Sequence, residues 1–595
     1  MRFSFKKLLL FAGLALLLFL GWFAWQLFGP SPPIVVSKAT TYISAPLRAD
    51  GLPDYEKYVL EKYREGVTPE NNAAVLFWQA MGPGDMASDD FANVAKEIGL
   101  QKIPPPEKFL QDVYGDETRK RVATWLENSN IIPREDDAEG VLRFMEELEM
   151  SRDDFIHNFI DQANERPWTS AQIPPLAEWV AANENPLALL TSATERPMFR
   201  SPPPELLNDT SESLVLMSLE SIQQTREAAR ALCARAMWHL GEGRHDKAWG
   251  DMIAMYRLSR LTGQDTTLVE QLVSIAIEGI ANRATLTLLD APDITPDLAR
   301  QIRQDLHTLD ARKSIGVSLD HWERILALSA VMEMRNGNSA ALGGGNGFDK
   351  VAMSAAFDWS IPLRNMNQWY DELSSAAKLP TWSARIEAME KFEERLKHVA
   401  GSASPRRALG SFFSRKIRSE LMSDILVALV LPALSAACTA EDRANTQLAL
   451  TQLAAALAIY SAEHGEHPEA LEALVPEVLE KLPVDLYHNN PFIYRRTKNG
   501  YLLYSRGPNG QDDAGSNQLM QNFKGHSTDL QTTAQLHELL GDDLPMVEDE
   551  TAVPSDDSVM RPLSEDDSLL EHIPQDADDI AIRLPLPKLE LPKAK

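Results

Sequence analysis

The first pattern along the chain is an unbroken apolar one. From Leu8 to Phe28 it reads LLLFAGLALLLFLGWFAWQLF, 21 residues with Gln26 as the only strongly polar side chain. A helix rises about 1.5 Å per residue and a hydrocarbon layer is about 30 Å thick, so this run predicts a membrane-spanning helix. Arg2, Lys6 and Lys7 precede it, and Trp22 and Trp25 stand near its far end, where indoles favour the interface. The positive-inside rule then places residues 1–7 in the cytoplasm, the lipid bilayer around 8–28, and the remaining chain outside. A secretory signal peptide has a shorter apolar core, about 7–15 residues, followed by small residues at a cleavage site. Here the run ends in Trp25, Gln26, Leu27 and Phe28, so an uncleaved signal-anchor in the cell (inner) membrane is expected, with a periplasmic ectodomain.

Beyond it, Gly29-Pro30-Ser31-Pro32-Pro33 cannot continue a helix, and residues 29–53 are expected to form a stiff Pro-rich spacer. Residues 54–419 carry helical periodicity broken at Pro-rich joints such as Pro104-Pro105-Pro106 and Pro202-Pro203-Pro204. Leu232, Ala236, Met237 and Leu240 make one apolar face, Gly241-Glu242-Gly243 breaks it, and Ala248, Met252, Met255 and Tyr256 make the next. That predicts an antiparallel helical hairpin. Its spacing is like that of a tetratricopeptide unit, but no second copy follows at a period near 34 residues, and an ordinary hairpin is the simpler reading. Thr267 and Glu270 form a capping box ahead of Val269, Leu272, Val273, Ala276 and Ile280, in a helix apolar almost all round and hence central. Thr295-Pro296 marks a further helix start. Ten of the 12 tryptophans lie in this region, where core filling is their expected use.

Near Glu420 the pattern changes. The stretch ILVALVLPALSAAC (425–438) is too short for a second span and contains Pro432, so it reads as a buried helix leading into an Ala/Leu-rich helix that ends near Gly465. Two runs of strand type follow, FIYRR (492–496) and YLLYS (501–505), with Asn499-Gly500 between them as a hairpin signal. A third, DIAIRL (579–584), comes after an acidic insertion spanning 526–577. From Gly541 to Ile580 there are 14 Asp or Glu and one Arg, a composition expected to be disordered, and residues 587–595 form a Pro-spaced tail.

These pieces, LALTQLAAALAIYSAEHGEHPEALEALVPE, the hairpin after LPVDLYHNNPFIYRR, and the turn SRGPNGQDDAG, resemble the head domain of the major pseudopilin of bacterial type II secretion systems. The likeness covers residues 420–525, completed by a strand at 578–586. The chain as a whole resembles bacterial membrane-anchored proteins that join a helical ectodomain to such a module. Two departures stand out: the chain begins with no prepilin-peptidase motif, and its apolar N-terminal helix lies far ahead of the module. The resemblance implies a small α+β module with a three-stranded antiparallel sheet and a calcium loop. Calcium takes six to eight oxygen ligands, and Asn509, Asp512 and Asp513, with Asp578 or Asp579 from the returning strand, supply the oxygens. A solvated polar turn, with Gly507, Pro508 and Gly510 there for geometry, is the alternative.

Charge and composition narrow the function. With 58 Lys+Arg against 86 Asp+Glu, a net −28, the chain is unsuited to general nucleic-acid binding, and no nucleic-acid partner is expected. Cys233 and Cys438 are too few for a disulfide scaffold, and both lie in apolar helical stretches as expected buried thiols. Motifs for catalysis fail: His537-Glu538-Leu539-Leu540-Gly541 lacks the second histidine of a zincin, GGGNG (343–347) within a Gly-rich loop lacks a following helix, and no G-x-S-x-G or P-loop occurs. His464 and His467 flank Gly465 without a third metal ligand. The expected protein is therefore mainly α: a transmembrane helix, a helical ectodomain of hairpins and a small pseudopilin-like module. It is expected to act by protein contacts in envelope organisation or secretion, with no catalytic residue assigned. The alternatives are a hydrolase with its site in the helical body and a component associated with a type II secretion pseudopilus.

Overall fold

The computed structural model describes residues 5–148, 150–208, 214, 220–264, 266–337, 355–401, 404–516 and 579–586. The acidic insertion 526–577, the tail 587–595, Asp578, the His537-Glu538 motif and GGGNG lie outside the described residues. The protein is mainly helical with one small sheet, as the patterning requires.

Helix α1 spans Phe5–Phe28. There follow α2 Tyr55–Arg64, α3 Ala73–Met81, α4 Ser88–Glu97, α5 Asp116–Asn128, α6 Ala138–Leu148, α7 Arg152–Glu165, α8 Pro174–Ala182 and α9 Glu184–Ala193. The predicted hairpin is α10 Glu220–Gly241 and α11 His245–Thr262. Next come α12 Leu268–Leu289, α13 Pro296–Thr308, α14 Ile315–Ser318 and α15 Arg324–Arg335. The last helices are α16 Ser360–Ala377, α17 Trp382–Ala400, α18 Pro405–Phe413, α19 Arg415–Val430 and α20 Pro432–His464. Their starts are chemically explicit. Asp54, Asn72, Ser151, Thr381, Ser404 and Ser414 each accept a hydrogen bond from a first-turn amide, satisfying a donor with no intrahelical partner. Thr267 and Glu270 form the expected capping box, and Thr295 caps α13 ahead of Pro296.

Strands β1 Ile493–Arg496, β2 Tyr501–Ser505 and β3 Ile580–Leu584 form an antiparallel sheet in the order β1-β2-β3. Tyr494 faces Leu503, which in turn faces Ile582. Gly500 does more than turn the chain: a Cβ there would meet the Leu584 carbonyl oxygen at 2.0 Å, so only glycine lets β3 close on the hairpin.

Two hydrophobic cores organise the body, and two helices run through both. One core holds Trp78, Trp249, Ile277 and Leu298 with Leu453 and Leu457 of α20 and the inner face of the sheet. The other holds Leu319, Leu328, Leu363 and Phe392 with Leu268 and Leu272 of α12 and Cys438 of α20. Helix α12, predicted to be central, is apolar enough to span a membrane but 78% buried in the body. The C-terminal module is thus packed on the helical body, and the expected boundary at residue 420 falls inside α19. Trp78, Trp168, Trp179 and Trp249 fill the core as expected, each donating its indole N–H to an oxygen 2.7–3.0 Å away.

Residues 29–53 do not stand clear as a spacer. Ile34, Val36, Tyr42, Ile43 and Leu52 pack into the second core, and the Asn367 side-chain amide donates to the Thr40 carbonyl at 2.8 Å. Prolines forbid helix there, but they do not forbid an extended strap whose apolar residues find a surface.

The end of α1 is fastened to this body. Arg415 donates to the carbonyls of Trp25 and Pro30 at 2.9 Å, and its amide to Gln26 Oε1 at 3.0 Å. Arg418 donates to the Gln26 carbonyl at 2.6 Å, and the Ala356 amide to that of Leu27 at 2.7 Å. Cations at a helix C-terminus satisfy its orphan carbonyls and oppose its dipole.

One close approach is testable. A Cβ on Gly241 would lie 1.9 Å from the Trp168 carbonyl oxygen, whereas one on Gly250, in mid-helix, would meet nothing within 4 Å. Equilibrium denaturation should show Gly241→Ala losing about 2 kcal/mol or more through overpacking, and Gly250→Ala gaining about 0.5–1 kcal/mol through helix propensity. Equal effects at the two positions would contradict this packing.

Candidate functional site

The sheet brings most of the predicted calcium residues into one turn. Pairing of Ser505 with Ile580 sets Asp579 beside the segment 506–516 that follows β2. Asp579 is fully buried and accepts the Gly515 amide at 2.7 Å through Oδ2. Asp512 Oδ1 accepts from Tyr504 Oη at 2.7 Å and from the Ala514 amide at 3.1 Å. Asn509 Nδ2 donates to Asp513 Oδ2 at 3.1 Å, while Asn509 Oδ1 accepts the Gln511 amide at 2.7 Å. Gly510 and Gly515 adopt φ of +73° and +76°, which lets the turn double back on β3.

Electrostatics follow from the crowding. Burial, against the pull of the Gly515 amide and helped by the neighbouring Asp513 and Asp512, raises the Asp579 carboxyl to about 7. For Asp512 burial is outweighed by the Tyr504 hydroxyl, the Ala514 amide and Arg495, which together hold it below the usual range. Asp485, which the sequence did not single out, buttresses the turn by accepting from Ser505 Oγ at 2.8 Å. The structure therefore brings together Asn509, Asp512, Asp513 and Asp579, while Asp578 lies outside the described residues. Among the described residues no group of three or more His, Cys, Asp or Glu is disposed to hold a metal ion. Asparagine, backbone carbonyl and water oxygens are the remaining donors such a turn offers a hard cation.

The histidines at the end of α20 have other employment. His464 stacks on Tyr460 with ring centroids 4.0 Å apart, and His467 lies edge-on to Tyr501 at 5.0 Å. Cys233 and Cys438 are buried thiols not joined in a disulfide, Cys233 donating to the Asn164 carbonyl at 3.1 Å, and burial, with Glu441 and Asp442 nearby, pushes the Cys438 thiol up to about 12.

A second feature escaped the sequence reading. Glu278, fully buried in the middle of α12, is paired with Arg260 of α11 and lies 2.9 Å from Arg312 Nη2. Arg312 also donates to Ser274 Oγ at 2.7 Å, and Arg260 to the Asp310 carbonyl at 2.8 Å. Arg260, Ser274, Asp310 and Arg312 help line a cleft of about 780 Å³ whose lining also includes Arg196, Arg257 and Lys313 together with Glu195 and Asp305. Five basic residues against three acidic ones make this lining cationic in a strongly acidic chain. The signal was legible as a mid-helix glutamate set among Ile275, Ile277 and Ile280.

A scan of protein-family models, a search of curated proteins and a search of solved structures each return no match to this chain. Its function is therefore read from residues and geometry.

Removing one member of a buried ion network leaves the others uncompensated. Glu278→Gln should cost about 3–5 kcal/mol in denaturant unfolding, with Glu278→Gln/Arg312→Met recovering part of it. A loss below about 1 kcal/mol for the single variant would contradict the network as a fastening of α11, α12 and the Arg312 segment.

Proposed function

We propose that this chain is a single-pass, membrane-anchored interaction protein of the cell envelope, with its N-terminus cytoplasmic and its bulk on the outer side. The observation that carries this is α1. Its stretch Phe11–Phe28 has none of its residues buried against the body, yet its last turn is fastened there through Arg415 and Arg418. An apolar helix of this length covered by protein only near its end is suited to lipid, and Arg2, Lys6 and Lys7 favour the cytoplasmic side for its start.

The C-terminal sheet and its turn support a role in secretion or envelope organisation through their likeness to the type II secretion major pseudopilin head. In this reading the turn holds calcium mainly through Asn509, backbone carbonyl and water oxygens beside no more than two of Asp512, Asp513 and Asp579, since no three of the described carboxylates are disposed around one ion. A subunit of a pseudopilus filament is disfavoured, since α20 from Leu450 to Ile459 is buried against the body and unavailable for packing between copies. An associated component remains compatible with that burial. The hydrolase alternative would rest on the carboxylates Glu195, Asp305 and Asp310 in the lining of the cleft.

Purification of the tagged full chain from membranes, with calcium or with chelator, tests the proposal. Secretion or envelope components should co-purify in calcium, and chelator or Asp579→Asn should reduce their recovery. Recovery of the protein alone under both conditions would overturn the interaction role.

A further inference from the structure

Helix α18 and the start of α19 form a feature that neither the body nor the anchor explains. The segment PRRALGSFFSRKIR (405–418) carries Arg406, Arg407, Arg415, Lys416 and Arg418 and no acidic residue, in a chain of net charge −28. Its apolar side chains are not used in a core: Leu409 is 63% exposed and Phe412 60%. No α18 residue is buried. The helix lies against α19, with Gly410 beside Ile417, and its aromatic contact is with α1, where Phe413 packs on Phe23 with ring centroids 5.3 Å apart.

That contact fixes the height of α18 along α1. Phe23 lies five residues before the end of the helix at Phe28, which is about 7–8 Å at 1.5 Å per residue. Trp22 and Trp25, both exposed, lie at the same level, the depth at which indoles settle between headgroups and hydrocarbon. A helix touching Phe23 therefore shares that depth. The cations are sorted to match. Arg415 and Arg418 close the end of α1, Arg407 pairs with Asp424 at 2.8 Å, Arg406 is exposed, and Lys416 is exposed with only a long 3.7 Å pairing to Glu420.

We propose that α18 is an interfacial helix, embedding Leu409, Phe412 and Phe413 in the membrane beside α1 while Arg406 and Lys416 engage the phosphates of anionic phospholipids. This rests on the reading of α1 as a membrane anchor. Charge complementarity and continuity with α1 together select a lipid surface, because a basic helix with an aromatic face at headgroup depth gains from burial and phosphate attraction at once. It gives the body a second foothold and so limits its rotation about the anchor.

The test uses the full chain in vesicles of phosphatidylcholine with or without phosphatidylglycerol. An environment-sensitive fluorophore is placed at Leu409→Cys or, should that variant fold poorly, at Phe412→Cys. The native thiols are buried and leave the label to the new site. A probe at Leu17→Cys reports separately on α1. With phosphatidylglycerol present, the Leu409→Cys probe should shift to the blue, brighten roughly two-fold, and be quenched by lipids labelled near the headgroup. Arg406→Glu with Lys416→Glu should reduce that response and leave the Leu17→Cys probe unchanged. A water-like Leu409→Cys probe beside a lipid-buried Leu17→Cys probe would overturn the interfacial helix alone. Water-like emission at both positions would overturn the anchor and this proposal with it. An equal response in neutral vesicles would overturn the role given to the cations.

Discussion

The fastening of α1 to the body is the interaction on which the rest depends. The Gln26 and Leu27 carbonyls of its last turn are taken by Arg418 and the Ala356 amide, and Arg415 joins the Gly29 amide on that of Trp25. The two arginines come from a part of the chain almost 400 residues away in sequence. They set where the body sits relative to any membrane that α1 enters. The strap 29–53 then has no gap to bridge, and it lies along the second core with Ile43 and Leu52 buried. Gly29 is part of the same joint, since a Cβ there would lie 2.4 Å from the Trp25 carbonyl oxygen. Anchor, strap and body thus form one mechanical piece at the proposed membrane surface.

Within the body, α12 and α20 prevent the two cores from behaving as separate domains. Helix α20 has 33 residues, about 50 Å at 1.5 Å per residue, and begins in one core and ends in the other. Glu441 on its flank accepts from the Ile315 amide at 3.2 Å, and burial pushes its carboxyl up to about 7. Glu278 does the corresponding job on α12 by holding Arg260 and Arg312. Buried charges of this kind add little net stability, but they penalise any arrangement that separates the partners.

Local signals in the sequence were read well, and non-local ones were not. The α10–α11 hairpin, the Thr267 capping box, the Thr295-Pro296 start and the strand pair around Asn499-Gly500 depend on residues within a turn of each other. Sequence spacing carries such features directly. The proximity of Asp579 to Asn509, Asp512 and Asp513 was reached through the resemblance, because no local spacing connects them. By contrast, the boundary placed at residue 420 followed a composition change, and composition does not reveal that α20 buries its face against α12 and α13. Residues 29–53 read as a spacer because proline content speaks to backbone conformation and says nothing of what Ile34 and Val36 touch. Helix α18 went unnoticed because its apolar face is only Leu409, Phe412 and Phe413; its meaning comes from lying beside Phe23.

The most direct measurement of the central claim is the fate of α1 in cells: alkaline extraction of membranes, followed by the intact mass of the protein and protease accessibility of its C-terminus from the outer side. The account predicts a protein that resists extraction, retains residues 1–28 and is digested from the periplasmic face. A protein released by alkali, or found with its N-terminus beginning after Phe28, would contradict it.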